Sequence, residues 1–174
     1  MSVKKKILSA LLSICLLLPV GMNAVPASAA EITADTTWYN KENVKTSYTL
    51  TSAAQLAGLI ALVNDKVDFK SVTIELGNDI VVNDTTNSDW TSSAQEWIDG
   101  GRRTSFDGIF DGKGHKIIGL YSHNGLFSKV GGTIQNVILD QAVITNSSSS
   151  GSVGALVNSL DSDASIKNCT VTNS

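Results

Sequence analysis

Thr133-Ile-Gln-Asn-Val-Ile-Leu-Asp140 and Ser165-Ile-Lys-Asn-Cys-Thr-Val-Thr172 share one pattern, an Ile-x-Asn unit followed by alternating residues, at an offset of 32. A glycine signal precedes each: Gly125-Leu-Phe the first and Gly154-Ala-Leu-Val the second, 29 residues apart. Offsets of this size mark structural repeats that stack on one another. Upstream, Phe106-Asp-Gly-Ile-Phe-Asp-Gly-Lys-Gly-His-Lys-Ile-Ile-Gly-Leu120 combines short apolar runs with Asp-Gly steps, the chemistry of strands joined by tight turns.

Further short β-branched runs occur at Val72-Thr-Ile-Glu-Leu76, Ile80-Val-Val82, Ile117-Ile118, Val137-Ile-Leu139 and Val143-Ile-Thr145, separated by Gly, Asn, Asp and Ser clusters. No helical pattern intervenes between them, which argues against an alternating βαβ sheet. A β-sandwich tolerates short strands but does not require Ile-x-Asn to recur at a fixed offset. The expectation is therefore an all-β, right-handed parallel β-helix of about two to four coils. One helix is expected ahead of it. Leu56, Leu59, Ile60 and Val63 fall on one face of residues 51–64, and Ser52 with Gln55 reads as a capping box. As a short amphipathic cap, this helix would shield the first coil, whereas the last coil would be left uncapped and open to self-association.

Lys4, Lys5 and Lys6 precede an apolar run from Ile7 to Val20, and Ala27-Ser-Ala29 supplies small residues near a cleavage point, so residues 1–30 read as a secretory signal peptide. The run is too short to span a bilayer, and no membrane insertion is expected after processing. The remainder divides into a segment 31–70 carrying the helix and a repeat region 71–174, with a polar loop at about 83–104. Without the leader, ten Lys and Arg face sixteen Asp and Glu, a balance that offers nucleic acid no electrostatic attraction. Cys169 is the one cysteine beyond the leader, so no internal disulfide is expected; it reads as a buried small hydrophobe.

The Gly125-Leu-Phe and Thr133-Ile-Gln-Asn units, with Gly151-Ser-Val-Gly-Ala-Leu-Val157 and Ser165-Ile-Lys-Asn-Cys169, resemble the GLUG-motif repeats of bacterial secreted and cell-surface proteins. The stretch from Phe106 to Leu120 is similar to the unit that commonly leads into such repeats, and Leu56-Ala-Gly-Leu59 to a helix often found upstream. The resemblance implies an exported protein, often large and modular, in some cases an adhesin, with no catalytic activity usually assigned to the repeats. The chain departs from the pattern in having about two recognisable repeats and no wall-sorting motif or His-Glu-x-x-His.

Three clusters invite a chemical reading. Asp107, Asp111 and His115 place two carboxylates and an imidazole at four-residue spacing, which suits acid-base or metal chemistry. The competing reading is that both carboxylates cap Asp-Gly turns, since i and i+4 on a strand stand about 13 Å apart. Trp90 and Trp97 form a candidate carbohydrate-stacking pair or pack on the flank of the strands. Asp161 and Asp163 are a candidate calcium pair or solvated turn carboxylates. Asn136 and Asn168, like Gly125 and Gly154, hold matching repeat positions where stacked amides would hydrogen-bond to one another. No cofactor is expected. The function that follows is a non-catalytic, adhesin-like extracellular or cell-surface interaction module, or the N-terminal part of a larger exoprotein. Its expected partners are wall or host polysaccharide or a surface protein; the alternative is a polysaccharide-active lyase or glycoside hydrolase.

Overall fold

The computed structural model of the chain describes residues 31–98, 104–145 and 154–173. The leader read at residues 1–30 lies outside them, as do Arg102 and Arg103 of the polar loop and the Gly151-Ser-Val step. In chain order the elements are β1 (Ser47–Leu50), α1 (Ala53–Asn64), β2 (Thr73–Leu76), β3 (Ile80–Val81), β4 (Ile109–Asp111), β5 (Lys116–Ile118) and β6 (Tyr121–Ser122). Then follow β7 (Phe127–Val130), β8 (Thr133–Gln135), β9 (Ile138–Asp140), β10 (Val143–Ile144), β11 (Val157–Leu160), β12 (Ser165–Lys167) and β13 (Thr170–Thr172). Among the described residues no helix is long and apolar enough to cross a membrane.

The expected right-handed parallel β-helix of two to four coils with an N-terminal capping helix requires correction. The strands form several short parallel sheets beside one helix: a five-stranded sheet β1-β2-β4-β8-β12, a four-stranded sheet β13-β9-β5-β3, and the two-stranded pairs β10-β6 and β11-β7. This is not a clear solenoid. The physical reason is uneven spacing. Ser47 pairs with Thr73, Thr73 with Ile109, Ile109 with Thr133 and Thr133 with Ser165, steps of 26, 36, 24 and 32 residues. Regular coils need a constant step, and only the last of these coincides with the Ile-x-Asn offset.

The helix is corrected in its setting too. It lies between β1 and β2, inside a crossover, rather than ahead of the first strand. Ser52 Oγ accepts from Gln55 N at 3.2 Å, and Gln55 Oε1 accepts from Thr51 N at 2.8 Å, so the N-terminus is fixed by side chains as a capping box does. Burial is not confined to the face carrying Leu56, Leu59, Ile60 and Val63, because Ala57, Gly58 and Leu62 are buried as well. Gly58 explains the second face. A Cβ there would stand 1.9 Å from the Asp35 carbonyl oxygen, so the helix backbone is in direct contact with the segment that precedes β1.

Parallel pairing aligns like with like across the sheets. Tyr48, Ile74, Phe110, Ile134 and Ile166 are successive partners in the five-stranded sheet, and the first four are buried. Ile80, Ile117, Leu139 and Val171 make the equivalent row in the four-stranded sheet, with the first three buried. Between the sheets runs a chain of aromatic rings, Phe69 to Phe106 at 5.7 Å, Phe106 to Phe127 at 5.4 Å and Phe127 to Phe110 at 5.3 Å between centroids. Rows of this kind are the core, and they end at the last strand layer.

Candidate functional site

The turn carrying Asp107, Asp111 and His115 is not one cluster. Asp111 ends β4 and is buried; its Oδ1 accepts from Lys113 N at 2.8 Å and from Asn136 Nδ2 at 2.9 Å, and its Oδ2 accepts from Gln135 Nε2 at 2.9 Å. Burial pushes this carboxyl up, but the hydrogen bonds from Asn136, Gln135 and Lys113, with the Lys113 charge, outweigh it and hold the group below the ordinary carboxylate range. His115 instead places Nδ1 3.3 Å from Asp79 Oδ1. Asp111 therefore closes a turn and binds the next layer, and its oxygens are already taken up.

The amides continue the arrangement. Asn168 Nδ2 donates to Asn136 Oδ1 at 2.8 Å, so Asp111, Asn136 and Asn168 form a ladder across three successive strand layers. Asn136 and Asn168 both hold positive φ, 54° and 49°, which asparagine tolerates better than branched residues. A second ladder centres on Asp140, whose Oδ1 accepts from Thr172 Oγ1 and Asn173 Nδ2 at 2.9 Å and whose Oδ2 lies 3.0 Å from Lys116 Nζ. Bonds from Asn173, Lys116 and Thr172 hold its carboxyl down at about 2. A lowered carboxyl stabilises the fold above its unfolded pKa near 3.8 and ceases to do so as pH falls through the folded one. Between about pH 4 and 2 the stability of the wild type is thus expected to fall towards that of Asp140→Asn, measured by urea denaturation midpoints against pH.

Two residues from different sequence clusters do converge. The point where a Cβ would stand on Gly131 lies 2.4 Å from Asp107 Oδ1, 3.0 Å from Ser105 Oγ and 3.3 Å from Asp161 Oδ2. The two carboxylate oxygens are therefore within about 6 Å of each other, across a glycine that leaves the space open. Lys129 Nζ lies 2.8 Å from Asp161 Oδ1, and Ser105 Oγ is buried with no hydrogen-bond partner among the described residues. Asp107 and Ser105 also line an open cleft of about 280 Å³ with Lys66, Lys70 and Thr104. Asp163 stands apart from this group; its Oδ1 accepts from Ser162 Oγ at 3.5 Å. No group of three or more His, Cys, Asp or Glu able to hold a metal is found among the described residues.

No family model, curated protein or solved structure matches this chain. Trp97 is buried and donates Nε1 to the Leu126 carbonyl at 3.1 Å, which leaves no free ring face for a sugar, while Trp90 is half-buried in a 3-10 turn, Trp90–Ser93. Gly125, at φ 74°, lies against Gly154, with the Gly154 carbonyl oxygen 2.1 Å from where its Cβ would be, so the repeated glycines meet in space. Cys169 is half-buried at the turn between β12 and β13.

Sequence reasoning missed Asn83. This buried side chain donates to the carbonyls of Gln95 at 3.0 Å and Gly119 at 2.8 Å and accepts from Gln95 N at 2.7 Å, pinning the polar segment to the strands. It missed, too, the place of His123, whose Nδ1 meets Thr145 and whose Nε2 lies 3.1 Å from Glu96 Oε1. An isolated asparagine after a strand carries no local signal for either contact.

The layer β11, β12 and β13 carries three exposed apolar residues. Ile166, Val171 and Leu160 are 42%, 43% and 47% exposed, although their partners Ile134, Leu139 and Val130 are fully buried. Ser165 and Lys167 use their backbone groups to bond β8, which turns the N–H and C=O of Ile166 to the free edge; Val171 is placed likewise in β13. Among the described residues the N–H and C=O of Ile166 and Val171 have no backbone partner.

Proposed function

We propose that this chain is a non-catalytic, adhesin-like interaction module, secreted or displayed on the cell surface, that holds wall or host polysaccharide or a surface protein. The observation that carries this reading is that the polar side chains at the strand ends serve the fold, bonding one another in ladders: Asp111 with Asn136 and Asn136 with Asn168, and Asp140 with Thr172, Asn173 and Lys116. The leader-like residues 1–30 and the resemblance to GLUG-motif repeats support the extracellular setting.

A second reading rests on Asp107 and Asp161, whose spacing over Gly131 approaches that of the paired carboxylates of retaining glycosidases. One experiment separates the two. Labelled protein from residue 31 onwards is applied to bacterial cells, isolated walls and immobilised surface proteins, and new reducing ends are assayed on a polysaccharide panel. Saturable retention on one of these surfaces without release of reducing ends is the expected result, and absence of retention on all of them would overturn it. Release of reducing ends that Asp107→Asn abolishes would overturn the proposal in favour of the enzyme.

A further inference from the structure

The loop that joins α1 to β2 carries its charged residues at a conformational cost. Val67 N donates to the Leu62 carbonyl and Lys66 N to the Val63 carbonyl, both at 3.0 Å. These are the two bonds of a Schellman closure, in which the residue past the helix cap turns left-handed. Glycine usually stands there. Here it is Lys66, at φ 63°, and Ser71 takes φ 64° near the other end of the same loop. Between them Val67 and Phe69 pack on the core, while Lys66, Asp68 and Lys70 are exposed. A side chain held at positive φ where glycine would fit more easily lowers stability, which points to a use for it outside the fold.

Lys66, Asp68 and Lys70 line one wall of the open cleft of about 280 Å³, and Thr104, Ser105 and Asp107, ahead of β4, line the other. The charges across it are unpaired. Lys41, Lys113, Lys116 and Lys129 each lie 3.9 Å or less from a carboxylate oxygen, and Lys45 sits over the Tyr48 ring. Among the described residues the Lys66 and Lys70 ammonium groups meet no carboxylate, although acidic residues outnumber basic ones beyond the leader and two carboxylates line the same cleft. The Asp107 carboxylate likewise has no hydrogen bond or ion pair among the described residues.

Resting on the interaction reading above, we infer that this cleft is where polysaccharide is held, and that it takes a sugar residue bearing a carboxylate. The sugar carboxylate accepts from Lys66 and Lys70 Nζ, and ring hydroxyls donate to Asp107. Both signs of charge are then satisfied by one ring. The lining sums to no net charge, two lysines against Asp68 and Asp107, so a densely charged phosphate or sulfate polymer gains little there. A neutral sugar leaves both ammonium groups without an anion.

The test titrates tetragalacturonate and a hyaluronan hexasaccharide into the protein from residue 31 onwards by isothermal calorimetry, each beside its methyl-esterified form, which keeps the hydroxyls and loses the charge. Saturable binding of at least one uronate is expected. Esterification, Lys66→Gly or Lys70→Gln is each expected to weaken it about tenfold or more. Lys66→Gly is the most telling variant, because glycine suits φ 63° better than lysine does, so its thermal midpoint is expected to hold or rise while binding is lost. No binding of either uronate, equally tight binding of the esters, or affinity unchanged in both lysine variants overturns the inference. If the wild type is retained on cells or walls and the Lys66→Gly/Lys70→Gln double variant is retained equally, the interaction reading stands and the cleft is wrong. If the wild type is retained on no surface and binds no uronate, both are wrong.

Discussion

Phe127→Ala is expected to cost about 3–5 kcal/mol of folding stability, enough to leave a domain of this size largely unfolded if its total lies near the low end of about 5–15 kcal/mol. Phe127 is almost fully buried on β7, and its ring stacks with Phe106 at 5.4 Å and meets Phe110 edge-on at 5.3 Å. These contacts join different parts of the fold. Phe110 belongs to the five-stranded sheet, whereas β7 pairs with β11. Phe106 carries the isolated bridge to Val130 and reaches Phe69 in the crossover after α1. Truncating the ring removes transfer free energy and leaves a void that two rigid aromatic neighbours cannot collapse into. The control is Ile109→Ala. That residue is 40% exposed on the outer side of β4, and its truncation is expected to cost less than about 1 kcal/mol. Urea denaturation measures both; equal midpoint shifts would mean that the aromatic chain is not the keystone of the core.

Why some of this was legible in the sequence and some was not follows from where repetition survives. The 32-residue recurrence of Ile-x-Asn is the register itself, because Thr133 pairs with Ser165 and Ile138 with Thr170 at the same offset. Strand pairs built from one motif betray themselves. Earlier layers do not, since α1 lies within one crossover and the polar segment between β3 and β4 within another, so steps of 26 and 36 residues leave no common period to detect. The extrapolation from two matching units to uniform coils failed for that reason. Similarly, the helical periodicity located residues 51–64 but exposed only one apolar face. The second face is set by the segment around Asp35, whose approach to Gly58 no local pattern encodes.

The candidate site shows the same division. Side chains of Asp107 and Asp161 meet over Gly131 although 54 positions separate them, and each was read with its sequence neighbours instead. Conversely, Asp107, Asp111 and His115 are close in sequence yet find partners in different layers. A tight Asp-Gly turn sends successive side chains to different neighbours, so proximity in sequence overstates proximity in space wherever the chain turns every few residues.

Asp111→Ala is expected to destabilise the protein by about 3 kcal/mol, while Asp107→Ala changes stability by no more than about 0.5 kcal/mol. The asymmetry follows from their partners. Removing the Asp111 carboxylate strands two side-chain amides and a backbone N–H that now donate to it at 2.8 to 2.9 Å, in a place shielded from water. Asn136 is affected most, since its positive φ is a conformation that this hydrogen bond helps to hold, and Asn168 depends on Asn136 in turn. A carboxylate below its ordinary pKa contributes stability above that pKa and loses it on protonation, so the gap between wild type and Asp111→Ala should narrow below about pH 4. Denaturant midpoints at pH 7 and pH 3 measure it. Were Asp111→Ala as stable as the wild type at pH 7, the ladder from Asp111 through Asn136 to Asn168 would be incidental to the fold.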